Sequence, residues 1–247
     1  MLLRNNFSSG PDGTTITTTN SGNGDDDAFA LAVAGAGAVL KYDLSPDRPS
    51  AEFVAEMSTS TPAGQSVVAW APGGTYAQIW CRLYAWYAVK PNNVQSPPFF
   101  YCESSTGGQM SLIAVNSSGN SEIVIANKDN TVWATSTWGI TAGEWFRIET
   151  HFTFSTTVGA IECRIYGGDD VDTNNVTETV TATNWNLGGT AAANFYAGYL
   201  SFDSNLEALR ISGLEVNNTG WPGPLPFHQK AMPGIQPSSI AVHNDVF

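Results

Sequence analysis

The stretch Ala77-Gln-Ile-Trp-Cys-Arg-Leu-Tyr-Ala-Trp-Tyr-Ala-Val-Lys90 alternates with a strict period of two. One face carries Ala77, Ile79, Cys81, Leu83, Ala85, Tyr87 and Val89. The other carries Gln78, Trp80, Arg82, Tyr84, Trp86, Ala88 and Lys90. Successive side chains of a strand point to opposite faces, so this pattern predicts a strand packed on a core from one side. The same rhythm returns downstream. Phe146, Ile148, Thr150, Phe152 and Phe154 alternate with Arg147, Glu149, His151 and Thr153, and Ile161, Cys163 and Ile165 alternate with Glu162, Arg164 and Tyr166. Leu209 and Ile211 alternate with Arg210 and Ser212. Leu112–Val115 and Glu122–Ala126 flank Asn116-Ser-Ser-Gly-Asn120, which reads as a hairpin connection. No helical period is sustained and no unit of 20–50 residues repeats, which argues against a solenoid. Many short antiparallel strands with one apolar face predict an all-β, two-sheet antiparallel sandwich of the jelly-roll kind.

The flanks read differently. Residues 1–27 are rich in Gly, Ser, Thr, Asn and Asp, with Thr14–Thr19 expected as an edge strand. Thirteen Pro occur; none lies between Phe99 and Trp221, and five follow Trp221. Proline fixes φ and removes a ladder donor. The expected division is therefore an N-terminal segment 1–27, a sandwich 28–216 and a Pro-rich extended tail 217–247. That tail carries Leu225, Phe227, Met232, Ile235, Ile240, Val242, Val246 and Phe247. So much apolar surface is expected to dock on another chain or on a second copy.

Composition narrows the function. In 247 residues, 10 Lys and Arg oppose 22 Asp and Glu, giving a net charge of −12. Nucleic acid and anionic membrane surfaces are thereby disfavoured as partners. Charged residues make up 13% and apolar ones 42%, a balance that suits a packed core rather than a disordered chain. Three Cys (Cys81, Cys102, Cys163) do not form a disulfide scaffold, and the longest stretch of low polarity, Ala28–Leu40, is too short to span a bilayer. The opening MLLRNNFSSG has no apolar core of a signal peptide. Asp25-Asp-Asp27 and Gly167-Gly-Asp-Asp-Val-Asp172 offer loop oxygens suited to Ca²⁺, but neither has the spaced ligands of a dedicated loop, so solvated turns are expected and no cofactor is implied.

Four segments together resemble the concanavalin A-like lectin/glucanase jelly roll in its laminin-G-like form: Gln78-Ile-Trp-Cys-Arg-Leu-Tyr, Gly143-Glu-Trp-Phe-Arg-Ile-Glu, Gly159-Ala-Ile-Glu-Cys-Arg-Ile-Tyr and Glu207-Ala-Leu-Arg-Ile-Ser. The opening Asn6-Phe-Ser-Ser-Gly, Gly13-Thr-Thr-Ile-Thr and Gly24-Asp, with the exit Thr219-Gly-Trp-Pro-Gly-Pro, is similar to virion proteins of actinobacterial phages of the minor tail type. The resemblance implies a virion location, exposed on the particle, with other virion proteins and copies of the chain as partners. Its role would be adhesion to host-surface glycan or decoration of the capsid or tail.

Such a fold offers one concave sheet to ligand. The expected glycan face is Trp80, Arg82, Tyr84, Trp86, Arg147, Glu149, His151, Arg164 and Tyr166, because rings stack on sugars while Arg and carboxylates bond hydroxyls. The plain alternative is packing under a loop or a cross-strand ladder of ion pairs. A polysaccharide-cleaving enzyme of the same fold is the competing function. The resemblance implies that a glucanase would carry Glu-x-Asp-x-x-Glu or Glu-x-Asp-x-Glu, and only Glu52-Phe-Val-Ala-Glu56 comes near. It implies for an alginate lyase an Arg-x-Glu strand, matched by Arg147-Ile-Glu149, and a Gln-x-His strand, from which Gln78-Ile-Trp80 departs. With Glu149 and His151 as the sole candidate acid–base pair, a non-enzyme is expected.

Overall fold

The computed structural model describes residues 1–44, 53–59, 65–90, 98–104, 109–116, 121–127, 131–199 and 206–225. The strands are, in order, β1 (Leu2–Asn5), β2 (Leu31–Ala34), β3 (Ala38–Leu44), β4 (Phe53–Thr59), β5 (Ser66–Trp70), β6 (Gln78–Tyr87), β7 (Pro98–Ser104) and β8 (Gln109–Asn116). They continue with β9 (Glu122–Asn127), β10 (Val132–Gly139), β11 (Trp145–Thr153), β12 (Gly159–Gly167), β13 (Glu178–Trp185), β14 (Ala192–Tyr199) and β15 (Leu206–Asn217). Among the described residues the one helical element is a single 3₁₀ turn, Gly168–Asp170. No described helix is long and apolar enough to cross a membrane.

The strands form two sheets with antiparallel pairing throughout. The first runs β13-β12-β11-β6-β15-β4-β3, with β1 beside the end of β15, and the second runs β10-β9-β8-β7-β14-β5-β2. The sandwich expected from the alternation is present. The apolar face of β6 (Ile79, Cys81, Leu83, Ala85, Tyr87) meets that of β11 (Phe146, Ile148, Phe152) and the inner face of the second sheet (Val68, Trp70, Phe100, Ile113, Ile125, Phe195) in one core. The three cysteines are free and buried. The pairing of β8 with β9 agrees with the expected hairpin; its connection, 117–120, lies outside the described residues.

Two features departed from the sequence pattern. In β15 the register against β6 gains one residue between Ser212 and Glu215. Gly213 takes φ +54 there, and a Cβ would sit 2.7 Å from Leu225 Cδ1 and 2.9 Å from Tyr84 Cδ2. A bulge of this kind needs a residue free to adopt positive φ. It flips the parity of the strand, so Leu209, Ile211, Leu214 and Val216 all reach the core while Arg210 and Glu215 stay on the outer face.

The second departure is the N-terminal segment, which is part of the packed body. β1 pairs with β15 from Leu2↔Asn217 to Asn5↔Leu214. Phe7 and Ile16 are fully buried, and Phe7, Phe29 and Trp70 pack in series as tilted rings with centroids 5.7 and 5.1 Å apart. Each such side chain contributes about 1.5–3 kcal/mol by leaving water. The polar composition serves the fold: Asp26 accepts from the N–H of Asn6 and Ser8, while Asn5 donates to the carbonyls of Ser21 and Asp27. Of the Thr run, Thr15 makes a lone bridge to Lys41 rather than a strand.

At the far side, the edges of β10 and β13 face each other across the two sheets. The Glu178 carboxylate accepts from the backbone N–H of Thr137 and Trp138, at 2.8 and 2.6 Å, and Trp133 stacks on Trp185.

Candidate functional site

The outer face of the first sheet gathers five of the chain's six arginines: Arg4, Arg82, Arg147, Arg164 and Arg210. Register sets their order. Arg4, Glu215, Arg82, Glu149 and Arg164 stand directly opposite one another on β1, β15, β6, β11 and β12, so charge alternates across five strands. Glu215 is 3.6 Å from Arg4 Nε and 3.1 Å from Arg82 Nη2. Arg147, one step along β11, places Nε 3.2 Å from Glu149 and lies 3.7 Å over the ring of Tyr166. Opposite charges on neighbouring strands support the sheet, and the guanidinium over Tyr166 adds a cation–π contact.

This ladder is not open. The segment after β15 turns back across it as a strap, Gly220-Trp-Pro-Gly-Pro-Leu225. Asn217 Oδ1 accepts from the N–H of Thr219 and Gly220 and thereby fixes the turn. Arg82 Nη1 donates to the Gly223 carbonyl at 2.9 Å, and Leu225 N–H donates to the Tyr84 hydroxyl at 2.8 Å. From the other side, Arg147 donates to the carbonyls of Val171 and Thr173 at 2.8 and 2.7 Å. As a result Arg82 is 3% exposed, Glu149 1%, Tyr166 3%, and Tyr84 and Arg147 not at all. Burial pushes the Glu149 carboxyl above its usual range, against the pull of Arg147 and Arg82. Burial likewise pushes Arg82 down, against the charge of Glu215.

The nine expected glycan residues therefore share one face but fall into two groups. Arg82, Tyr84, Arg147, Glu149 and Tyr166 lie beneath the strap and the 170–174 turn. Trp80, His151, Arg164 and Trp86 remain half-exposed. Trp86 lies under Arg210, at 4.7 Å, apart from the rest. Trp80 and His151 stack at 4.2 Å with ring planes 3° apart. His151 Nε2 lies 3.2 Å from Gln78 Oε1, and Arg164 pairs with Glu162 at 2.8 Å. Trp221 of the strap completes the group, 3.7 Å from the Arg164 guanidinium and edge-on to His151 at 6.1 Å. Burial lowers the His151 pKa below the ordinary 6.5, while Glu162 pulls it up and Arg164 pushes it further down.

The sequence reading missed Arg4, Glu215, Asn217 and Trp221 as members of this face. Glu215 shares the parity of Leu209 and Ile211, so without the Gly213 bulge it reads as inward. Trp221 reads as part of a tail; a large ring directly before Pro222-Gly-Pro224 was the available signal that the segment packs. The described part of that tail, to Leu225, lies against the chain's own first sheet. Residues 226–247, for which docking on another chain was expected, lie outside the described residues.

Among the described residues no three His, Cys, Asp or Glu converge to hold a metal. The acidic runs have other work: Asp26 ties the N-terminal turn, Asp27 accepts from the Arg4 N–H, and Asp170 accepts from Thr173 and Asn175.

No protein-family model matches the sequence, and no curated protein matches it. Solved structures do share its fold. The cellulose induced protein Cip1 aligns over 88% of this chain and 97% of its own at a TM-score of 0.57 and 12% identity. Alginate lyase vAL-1 from Chlorella virus aligns over 77% and 93% at 0.51 and 9%. The PL-14 alginate lyase from Aplysia kurodai aligns over 72% and 87% at 0.50 and 7%. At these identities the likeness establishes a shared jelly-roll fold.

Proposed function

We propose that this chain is a non-catalytic glycan-binding jelly roll. The observation that carries the reading is the half-exposed platform of Trp80 stacked on His151, with Trp221 at its edge and Gln78, Glu162 and Arg164 around it. The face of Trp80 turned away from His151 would take the C–H side of a sugar, and the surrounding amide, carboxylate and guanidinium would bond its hydroxyls. Two of the fold's solved examples are lyases of a polysaccharide, which supports a polysaccharide as the ligand class. Cleavage is not part of the proposal, because Glu149 is enclosed by Arg147 and the strap rather than presented to solvent beside His151. A general base must reach its substrate.

The proposed setting is a phage virion, minor tail or capsid-associated, where many copies on one particle turn weak sites into firm attachment. That setting rests on the resemblance of the opening and exit segments. Titration of host cell-wall polysaccharide while Trp fluorescence is followed tests the binding. Trp80→Ala is expected to weaken it about tenfold, the worth of one stacking contact of ~1.4 kcal/mol. Unchanged binding in Trp80→Ala would move the site elsewhere. Release of shorter oligosaccharides, lost in Glu149→Gln, would overturn the non-enzyme reading. Antibody labelling of intact particles tests the setting.

A further inference from the structure

The strap has two sides. Toward β11 it borders the Trp80 platform; toward β1 it borders a cleft. The cleft comprises two hollows open to solvent, of about 620 and 660 Å³, both lined by Leu2, Arg4, Glu215 and Pro222. Asn217 and Trp221 line the first, while Asp25, Asp27 and Arg82 line the second. These volumes fall within the range that holds small ligands, about 300–1,000 Å³.

Both walls are pinned independently. β1 is held by its ladder to β15, by Met1 N donating to Asn218 Oδ1 at 2.6 Å, and by the Arg4 N–H on Asp27 at 2.8 Å. The strap is held by the Asn217 turn and by Arg82 on Gly223. The space between them is thus set before any ligand arrives, which lowers the entropic cost of binding. The chemistry of the lining is amphipathic. Leu2, Pro222 and Trp221 offer apolar surface, and Arg4, Asn217, Glu215 and Asp27 offer donors and acceptors. Two arginines face three carboxylates (Glu215, Asp25, Asp27), and Glu215 pairs with both arginines. Such a lining matches hydroxyls and offers no net positive charge to a polyanion.

Register joins the cleft to the platform. Asn217 stands directly opposite Trp80 on one side and Leu2 on the other, and Trp221 borders both.

We propose that the cleft between β1 and the strap is a second subsite of the glycan site, taking neutral, hydroxyl-rich sugar units of the chain whose other units stack on Trp80. The inference rests on the glycan-binding reading. The test is chain-length dependence, measured by calorimetry with neutral glucan and mannan trisaccharides and hexasaccharides, and with a uronate hexasaccharide. The native protein is expected to bind a neutral hexasaccharide at least tenfold more tightly than the matching trisaccharide. Arg4→Ala and Leu2→Ser, both at exposed positions, are expected to abolish that gain, with Leu2→Ser leaving trisaccharide affinity unchanged, whereas Trp80→Ala weakens both lengths. A length gain that survives in both Arg4→Ala and Leu2→Ser overturns the subsite while the platform stands. Preference for the uronate hexasaccharide overturns its neutral class. No binding of any sugar overturns the subsite and the glycan reading together, and the Trp80→Ala comparison separates the two failures in every other case.

Discussion

The two sheets share one core yet turn opposite chemistry outward. On the first sheet the outer rows are Arg, Glu, Tyr and Trp, matched in charge across strands. On the second, Val67, Tyr101, Ala114, Val124 and Ala126 form a buried apolar cluster of their own, with Val33 and Tyr196 packed beside it. The strand β5 is buried at all five positions, and β9 at its four central ones. Polar alternation therefore marks which sheet carries the charged and aromatic outer rows, but it does not mark exposure: five of the nine polar-face residues singled out in the sequence are as enclosed as the core. A buried charge remains only where its neighbours neutralise it, and here register supplies those neighbours.

The comparison breaks hardest at Arg147. Arg147→Ala leaves Glu149 enclosed without its closest cation and frees two carbonyls of the 170–174 turn. Chemical denaturation is expected to show a loss of about 3–5 kcal/mol, and the double variant Arg147→Met/Glu149→Gln is expected to recover much of it. On the second sheet, Tyr101 stacks on Tyr196 at 4.3 Å, and Tyr196 donates to Glu103 at 2.6 Å. Tyr101→Ala is expected to cost about 3 kcal/mol as a cavity while leaving glycan affinity unchanged. An affinity loss there would place ligand on both outer faces.

Smaller effects sharpen the role of the strap. Tyr84→Phe removes the acceptor for the Leu225 N–H, with an expected cost of about 1 kcal/mol. Limited proteolysis is expected to cut near Trp221 sooner, with the sandwich intact. The smallest effect is in pH. Burial holds the His151 pKa below 6.5, so the unfolded chain binds this proton more readily than the folded one. The stabilisation is present above pH 6.5 and is lost as pH falls through the folded value. Observation of the His151 ring protons by NMR is expected to show a midpoint below 6.5, and Trp80→Ala, which opens the ring to water, is expected to move it up.

The sandwich was legible because each strand carries its facing in its own residues. Ile79 and Trp80 need no distant partner to be told apart. The face was legible for the same reason, in Trp80, Arg147 and His151. The rest depended on contacts between segments far apart in sequence. Phe7 and Ile16 are buried because Asn5 and Asp26 close a polar loop around them, and composition alone makes that loop look like an appendage. Glu215 is outward because of one inserted residue at Gly213. The strap is visible only once Tyr84 and Arg82 are known to stand beneath it.

The Glu178 latch has a consequence for how such a protein survives at high local concentration. An edge strand with open N–H groups is a template for another chain, and repeated pairing of that sort leads to fibrils. At β10 the donors of Thr137 and Trp138 are consumed by a carboxylate from the opposite sheet, and the strand is irregular against β9 between Thr135 and Gly139. One acidic side chain thereby guards an aggregation-prone border, and neutralising it in Glu178→Ala would be felt first as insolubility.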